Sequence, residues 1–154
     1  MSTVAVNRLV PAPAADLWRL LTDLPQRVPA DVPVEVLTPG RFGPGTSWRE
    51  MRVRPDGSAL AEEFVVLAAE PPRRLVLSSP GDGVDYRFTW TLRDVRRRRR
   101  RYAAVTVMVQ ARPAAPAGRA VGLLLGGLAA RAAEKVLRQD IAALVAAAAR
   151  QRAS

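Results

Sequence analysis

Residues 84–93 carry the clearest alternation in the chain. Tyr86, Phe88, Trp90 and Leu92 fall on one face, and Asp85, Arg87, Thr89, Thr91 and Arg93 on the other. This spacing predicts an antiparallel strand with one buried and one wet side. Residues 102–112 mirror it, with Val105, Val107 and Val109 inward and Thr106, Met108 and Gln110 outward. Arg96 to Arg101 join the two. Further strands are predicted at 2–10, 32–37, 46–54, 59–69 and 75–79, separated by Pro- and Gly-bearing turns. Residues 14–24 have helical spacing, with Leu17, Trp18, Leu20, Leu21 and Leu24 on one broad face. Pro13 suits its first turn, and Pro25 and Pro29 predict a break into a second short helix. After Pro113 and Pro116 comes one long helix, roughly 118–150. It sets Arg131, Glu134, Lys135 and Arg138 on one side and Leu123, Gly126, Ala130, Ala133, Leu137, Ile141 and Leu144 on the other.

The order is strand, helix pair, six strands, long helix. Consecutive hairpins predict an antiparallel sheet with one apolar face to cover, in an α+β domain. The last helix is the one element long enough to cover it. No repeat or linker divides the chain, so residues 1–154 read as a single domain, and its 49% hydrophobic content allows a core. The buried side of the last helix changes character along its length. Gly126, Ala129, Ala130 and Ala133 come first, then Leu137, Ile141 and Leu144. A straight helix cannot follow a curved sheet closely throughout. The small residues therefore predict a cavity beside the N-terminal half, walled by Tyr86, Phe88 and Trp90; the competing reading is close packing with no pocket.

Composition removes several chemistries. With no cysteine and no histidine, disulfides, thiolate nucleophiles, Cys/His zinc sites and histidine-based triads are excluded. Proton transfer is left to Asp, Glu, Tyr, Lys135 or water, and no cofactor or metal is called for. Met1-Ser2-Thr3-Val4 lacks a basic region followed by an apolar run, and the apolar run at 120–130 is too short to span a bilayer. A cytoplasmic protein is expected. Net charge is +10, with Arg supplying nearly all the cations. One reading is attraction to an anionic partner; the plainer one is the Arg- and Ala-rich usage of a high-GC coding sequence. The arginine run lacks the interleaved aromatics of single-strand binders. It predicts no specific nucleic-acid binding, and leaves weak contact with anionic membrane through Arg96 to Arg101 as a candidate.

Four segments carry a family resemblance. Val10-Pro11-Ala12-Pro13 leads through Asp16-Leu17-Trp18 to Thr22-Asp23. Phe42-Gly43-Pro44-Gly45-Thr46-Ser47-Trp48-Arg49-Glu50 forms a Gly-rich turn and strand. Glu70-Pro71-Pro72-Arg73-Arg74-Leu75 punctuates two strands. Leu137 to Leu144 lies near the end of the last helix. Together, in this order, they resemble the SRPBCC (START-like) superfamily, and within it the polyketide cyclase/dehydrase-like group. The resemblance covers nearly the whole chain. It implies a helix-grip fold, a bent seven-stranded antiparallel sheet around a long C-terminal helix with two short helices after the first strand. It does not fix a function, because the superfamily spans cyclases, carriers, receptors and co-chaperone domains. One departure stands out: the family usually has a short Gly/Thr-rich turn where this chain has its arginine run.

Candidate ligand-binding residues are Trp48, Glu50, Glu62, Phe64, Tyr86, Phe88, Trp90, Gly126 and Ala130. Trp48, Glu50 and Arg52 share one face of their strand, and Arg49, Met51 and Val53 the other, so hydrophobicity leaves the inward face open. Glu62, Phe64 and Val66 pose the same question. The plainer reading places both carboxylates on the wet face beside arginines. The sharper one places them in an apolar pocket, where their pKa values would rise. Tyr86 is the hydroxyl candidate for a ligand oxygen. Asp140 borders the buried helical stripe and reads as a local cap or pair. Two functions stay open: a polyketide cyclase/dehydrase-like enzyme working mainly by orientation, and a non-catalytic carrier or sensor of a lipid, quinone or other apolar metabolite. In either case the partner is an apolar small molecule, and monomer and homodimer are both compatible with the sequence.

Overall fold

A computed structural model describes residues 2–53, 56–81, 83–113 and 128–153. Among these, seven strands form one antiparallel sheet: β1 (Ser2–Val10), β2 (Glu35–Val36), β3 (Ser47–Val53), β4 (Ala59–Glu70), β5 (Arg74–Pro80), β6 (Val84–Arg97) and β7 (Arg100–Pro113). Their order is β1-β7-β6-β5-β4-β3-β2. The first strand thus closes onto the last, while β3 to β7 follow one another as hairpins. Two helices lie against the sheet, α1 (Ala14–Thr22) and α2 (Leu128–Ala153). The expected α+β helix-grip arrangement is present.

The alternation read from residues 84–93 and 102–112 decides the inward face. Trp90, Leu92, Val105, Val107 and Val109 are all buried, and Phe88 packs beside them. α2 contributes Leu137, Ile141, Leu144, Ala147 and Ala148, also buried, and packs against β1, β7 and α1. Upstream of Leu137 no described side chain of α2 is fully buried; Ala130, Ala133 and Val136 are half-buried. The helix therefore grips the sheet by its C-terminal half. Leu123 and Gly126, placed on the same stripe by the sequence, lie outside the described residues.

Helix α1 starts where Pro13 supplies an extended residue before the first turn. Proline has no side-chain oxygen to cap the helix, and Asp94 of β6 takes that role, accepting the Ala14 N–H at 2.9 Å. Leu17 and Leu21 are completely buried beneath it. The expected second short helix is absent. Residues 23–34 form turns and bends, because Pro25, Pro29 and Pro33 each lack the N–H a helix interior needs. Hydrogen bonds hold this segment in place, among them Val28 N–H to the Leu20 carbonyl and Val34 N–H to the Pro25 carbonyl, both 2.8 Å.

The arginine run is not a loose connection either. β6 and β7 stay in register through Arg96↔Arg101 and Arg97↔Arg100, leaving a two-residue turn of Arg98 and Arg99. Their φ angles are +49° and +67°. A two-residue hairpin matches the sheet twist when both central residues are left-handed, which is why Asn-Gly is the usual choice. Two side-chain-bearing cations here cost conformational energy. The double substitution Arg98→Asn with Arg99→Gly is expected to stabilise the fold by about 1–2 kcal/mol. Thermal unfolding should rise by roughly 3–6 °C; an unchanged or lower midpoint would show that the turn is unstrained.

Candidate functional site

Strand β3 pairs with β4 so that Trp48 lies opposite Phe64 and Glu50 opposite Glu62. Trp48 and Phe64 stack with ring centroids 5.7 Å apart, and Phe64 meets Phe88 edge-on at 5.7 Å. Phe42 closes on the other side of Trp48 at 6.2 Å. This aromatic row settles the face that hydrophobicity left open: Trp48 is inside, fully buried. The two-residue period of a strand then carries Glu50 and Arg52 inward as well. The plainer reading of the two carboxylates is corrected for Glu50, which is only 2% exposed. Glu62 is half-buried.

A buried carboxylate needs partners, and Glu50 has three. Arg27 Nη1 donates to its two oxygens at 3.3 and 3.1 Å. Trp48 Nε1 donates at 3.2 Å, and Arg52 Nη1 at 3.3 Å. Arg27 comes from the irregular segment after α1. Its guanidinium lies over Trp48 at 5.0 Å and Phe64 at 5.6 Å from the ring centres. Arg52 also donates through Nη2 to Asp140 of α2. The partner of Asp140 thus lies across the core on β3, not on its own helix as the sequence suggested.

Burial pushes the Arg27 guanidinium below its ordinary pKa, with Glu50 pulling the other way. Burial acts on Arg52 in the same sense, but Asp140 and Glu50 outweigh it and leave it above its ordinary value. Asp140 is raised from 3.8 to about 6, because lost solvation exceeds the attraction of Arg52 and Arg27. One polar atom in this group is unsatisfied: Arg27 Nε is buried and has no hydrogen-bond partner.

Two adjoining spaces lie between sheet and helix. The larger, an open cleft of about 730 Å³, is bordered by Leu60 to Glu63 of β4, Ser79 to Gly81, Val84, Tyr86 and Phe88 of β6, and Ala133, Val136 and Leu137 of α2. The smaller recess, about 60 Å³, is lined by Arg27, Arg52, Glu62, Phe64, Leu77, Phe88, Trp90, Val136 and Asp140. Glu62, Phe88 and Val136 border both. The larger space mixes apolar residues with Arg49, Glu62 and Glu63, and the recess behind the shared wall holds Arg27, Arg52 and Asp140.

Of the residues singled out in the sequence, Tyr86 and Phe88 line the cleft, Phe64 and Trp90 the recess, and Glu62 both. Trp48 and Glu50 line neither space; Glu50 contacts Arg27 and Arg52, and Trp48 contacts Arg27, both arginines being recess residues. Ala130 is half-buried and borders neither space, and Gly126 lies outside the described residues. Arg27, Arg52, Val136 and Asp140 were not among the candidates. The face shared by Trp48 and Arg52 signalled Arg52, and a position at the border of the apolar stripe of α2 signalled Asp140. Arg27 stands in a proline-rich stretch without periodicity and gave no signal.

A family model described as polyketide cyclase / dehydrase and lipid transport matches residues 1–149. Among solved structures, TTHA0849 from Thermus thermophilus is 20% identical with a TM-score of 0.65, covering 93% of this chain and 94% of that one. Ara h 8.0201 is 17% identical with a TM-score of 0.63, covering 95% and 96%. The di-domain ARO/CYC BexL from the BE-7585A biosynthetic pathway is 21% identical with a TM-score of 0.56, covering 94% of this chain and 48% of that one. No curated protein matches the sequence significantly. No helix among the described residues is long and apolar enough to cross a membrane.

Two predictions rest on the charged group. Glu50→Ala strands Arg27 without its partner inside the core and should cost about 3–5 kcal/mol in urea unfolding; a loss below about 1 kcal/mol, the scale of an exposed pair, would show that Arg27 reaches water. For Asp140, the native state between pH 3.8 and about 6 keeps a proton that the unfolded chain has released. The stabilisation is complete below pH 3.8 and is lost as pH rises through 6, on the order of 3 kcal/mol. Asp140→Asn should remove that slope. Parallel stability profiles for the two proteins from pH 4 to 7 would contradict the raised value.

Proposed function

We propose that this chain, which belongs to the polyketide cyclase / dehydrase and lipid transport family, binds a hydrophobic small molecule between the sheet and α2. The ligand lies along the apolar cleft and turns an oxygen-bearing end toward the charged recess. The observation that carries this reading is the wall the two spaces share: Phe88 and Val136 border both, with Tyr86 on the cleft side and Arg27, Arg52 and Asp140 on the recess side. An apolar pocket with a few convergent polar groups is the usual form of a small-molecule site.

Convergence of polar groups favours a cyclase/dehydrase-like enzyme over a passive container. In that version the cleft holds a flexible polyketone in one folded conformer, so that orientation lowers the barrier. An arginine N–H at the recess polarises a ligand carbonyl, and Glu62 or Asp140 is placed to exchange a proton. The carrier reading keeps the same pocket without turnover, with a lipid or quinone as cargo and anionic membrane as the docking partner of residues 96–101. It is favoured by the pairing of both buried carboxylates with arginines, which leaves neither free for chemistry until a ligand enters.

Fluorescence titration with the amphiphilic anion 1-anilinonaphthalene-8-sulfonate, an apolar ring system with one charged end, tests the site. Ala133 borders the cleft and is half-buried, so Ala133→Trp should fill it. Probe affinity is expected to fall at least tenfold, a change of about 1.4 kcal/mol, with little change in thermal stability. Equal affinity in both proteins would place the probe elsewhere. Native mass spectrometry of the protein from its own host then identifies the ligand. Incubation with that ligand separates enzyme from carrier by whether its mass or absorbance changes.

A further inference from the structure

The arginine hairpin extends past the rest of the sheet. β6 and β7 remain paired to Arg97↔Arg100. Their outer neighbours stop earlier, β1 at Val10↔Ala103 and β5 at Arg74↔Thr91. Beyond those points stands a narrow two-stranded ribbon. Register pairs share a face, so Arg96 and Arg101 lie on one side, Arg97 and Arg100 on the other, and Arg98 and Arg99 at the tip. All six are exposed. Among the described residues none of them is in a salt bridge. The neighbouring carboxylate Asp94 is engaged by the first N–H of α1.

This shape discriminates among anionic partners. A folded acidic protein presents a patch that meets one face of a ribbon and leaves the opposite arginines unopposed. The ribbon lacks the interleaved aromatics on which single-stranded bases stack, its nearest aromatic being half-buried Tyr102 at the root; duplex DNA, whose major groove admits an arginine-bearing ribbon, is the competing polyanion that the test below separates. A layer of lipid headgroups surrounds an inserted finger with phosphates on every side. It also suits tyrosine at its polar boundary.

We propose that residues 96–101 dock end-on in the headgroup layer of an anionic membrane, holding the mouth of the cleft away from the bilayer. Exposed residues of the cleft rim, Leu60, Ala61, Pro80 and Gly81, lie at the end of the sheet where β6 starts, and the ribbon is the other end of that strand. A 14-residue strand spans roughly 45 Å. The docked protein thus exchanges its cargo with the aqueous side. The membrane contact itself is independent of the cleft; only the statement about cargo rests on the ligand-binding reading above.

The test uses phosphatidylcholine vesicles with and without phosphatidylglycerol. Sedimentation should show binding only with the anionic lipid, weakening as salt rises. Arg98→Asn with Arg99→Gly removes two charges at a turn those residues suit, so the fold is kept; partition should fall roughly 25-fold, about fivefold per arginine. The chain has no cysteine, so a single fluorophore can be attached through Val95→Cys at the ribbon or Leu60→Cys at the mouth. Nitroxide-labelled lipid should quench the ribbon label strongly and the mouth label little. Equal binding to neutral vesicles, an unaffected double variant, or stronger quenching at the mouth would each overturn the proposal. So would retention of duplex DNA at a salt concentration that releases the vesicles. All these readouts are taken without ligand, so failure of the cleft to bind the anilinonaphthalene probe leaves them unchanged.

Discussion

Glu50 is a carboxylate without access to water, and much of the interior is arranged around supplying what water would have given it. Arg27 reaches it from the irregular segment after α1, Trp48 from its own strand, and Arg52 from two residues further along. Arg52 extends the chain of contacts to Asp140 on α2. Three separate parts of the chain are therefore joined through one charged group beneath the sheet. Desolvation makes such a group expensive when any member is missing, so each element is held in the one place where all partners meet.

An apolar core of the same volume would serve stability at least as well. What the charges add is a direction. The larger space carries aliphatic and aromatic side chains together with Arg49, Glu62 and Glu63, and the recess that shares its wall carries Arg27, Arg52 and Asp140. In the proposed binding mode, a molecule with one polar end enters with that end toward the recess. The raised pKa of Asp140 also allows the group to change its net charge near neutral pH, which a hydrophobic replacement could not do.

The sequence disclosed most of the fold because the β6–β7 hairpin separates polar from apolar so cleanly. It disclosed less of the site. On β3 each face mixes charge with bulk, Trp48-Glu50-Arg52 against Arg49-Met51-Val53, and only the stacking of Trp48 on Phe64 from β4 chooses between them. Asp140 was visible as a carboxylate bordering an apolar stripe, but its partner is 88 positions away, beyond any local rule. Arg27 lies among prolines, where no periodic pattern exists to mark an inward residue. The missing second helix and the tight arginine turn share one cause: each depends on backbone detail, an absent N–H or a left-handed φ, that composition alone signals poorly.

The trans cap of α1 has a consequence for synthesis. Ala14 waits for Asp94, 80 positions later, and β1 waits for β7. Until that last hairpin leaves the ribosome, the opening strand and helix have no partner, and Leu17 and Leu21 have nothing to pack under. β1 and α1 are made well before the strands that secure them. In the interval the nascent chain presents an amphipathic helix that chaperones are suited to hold.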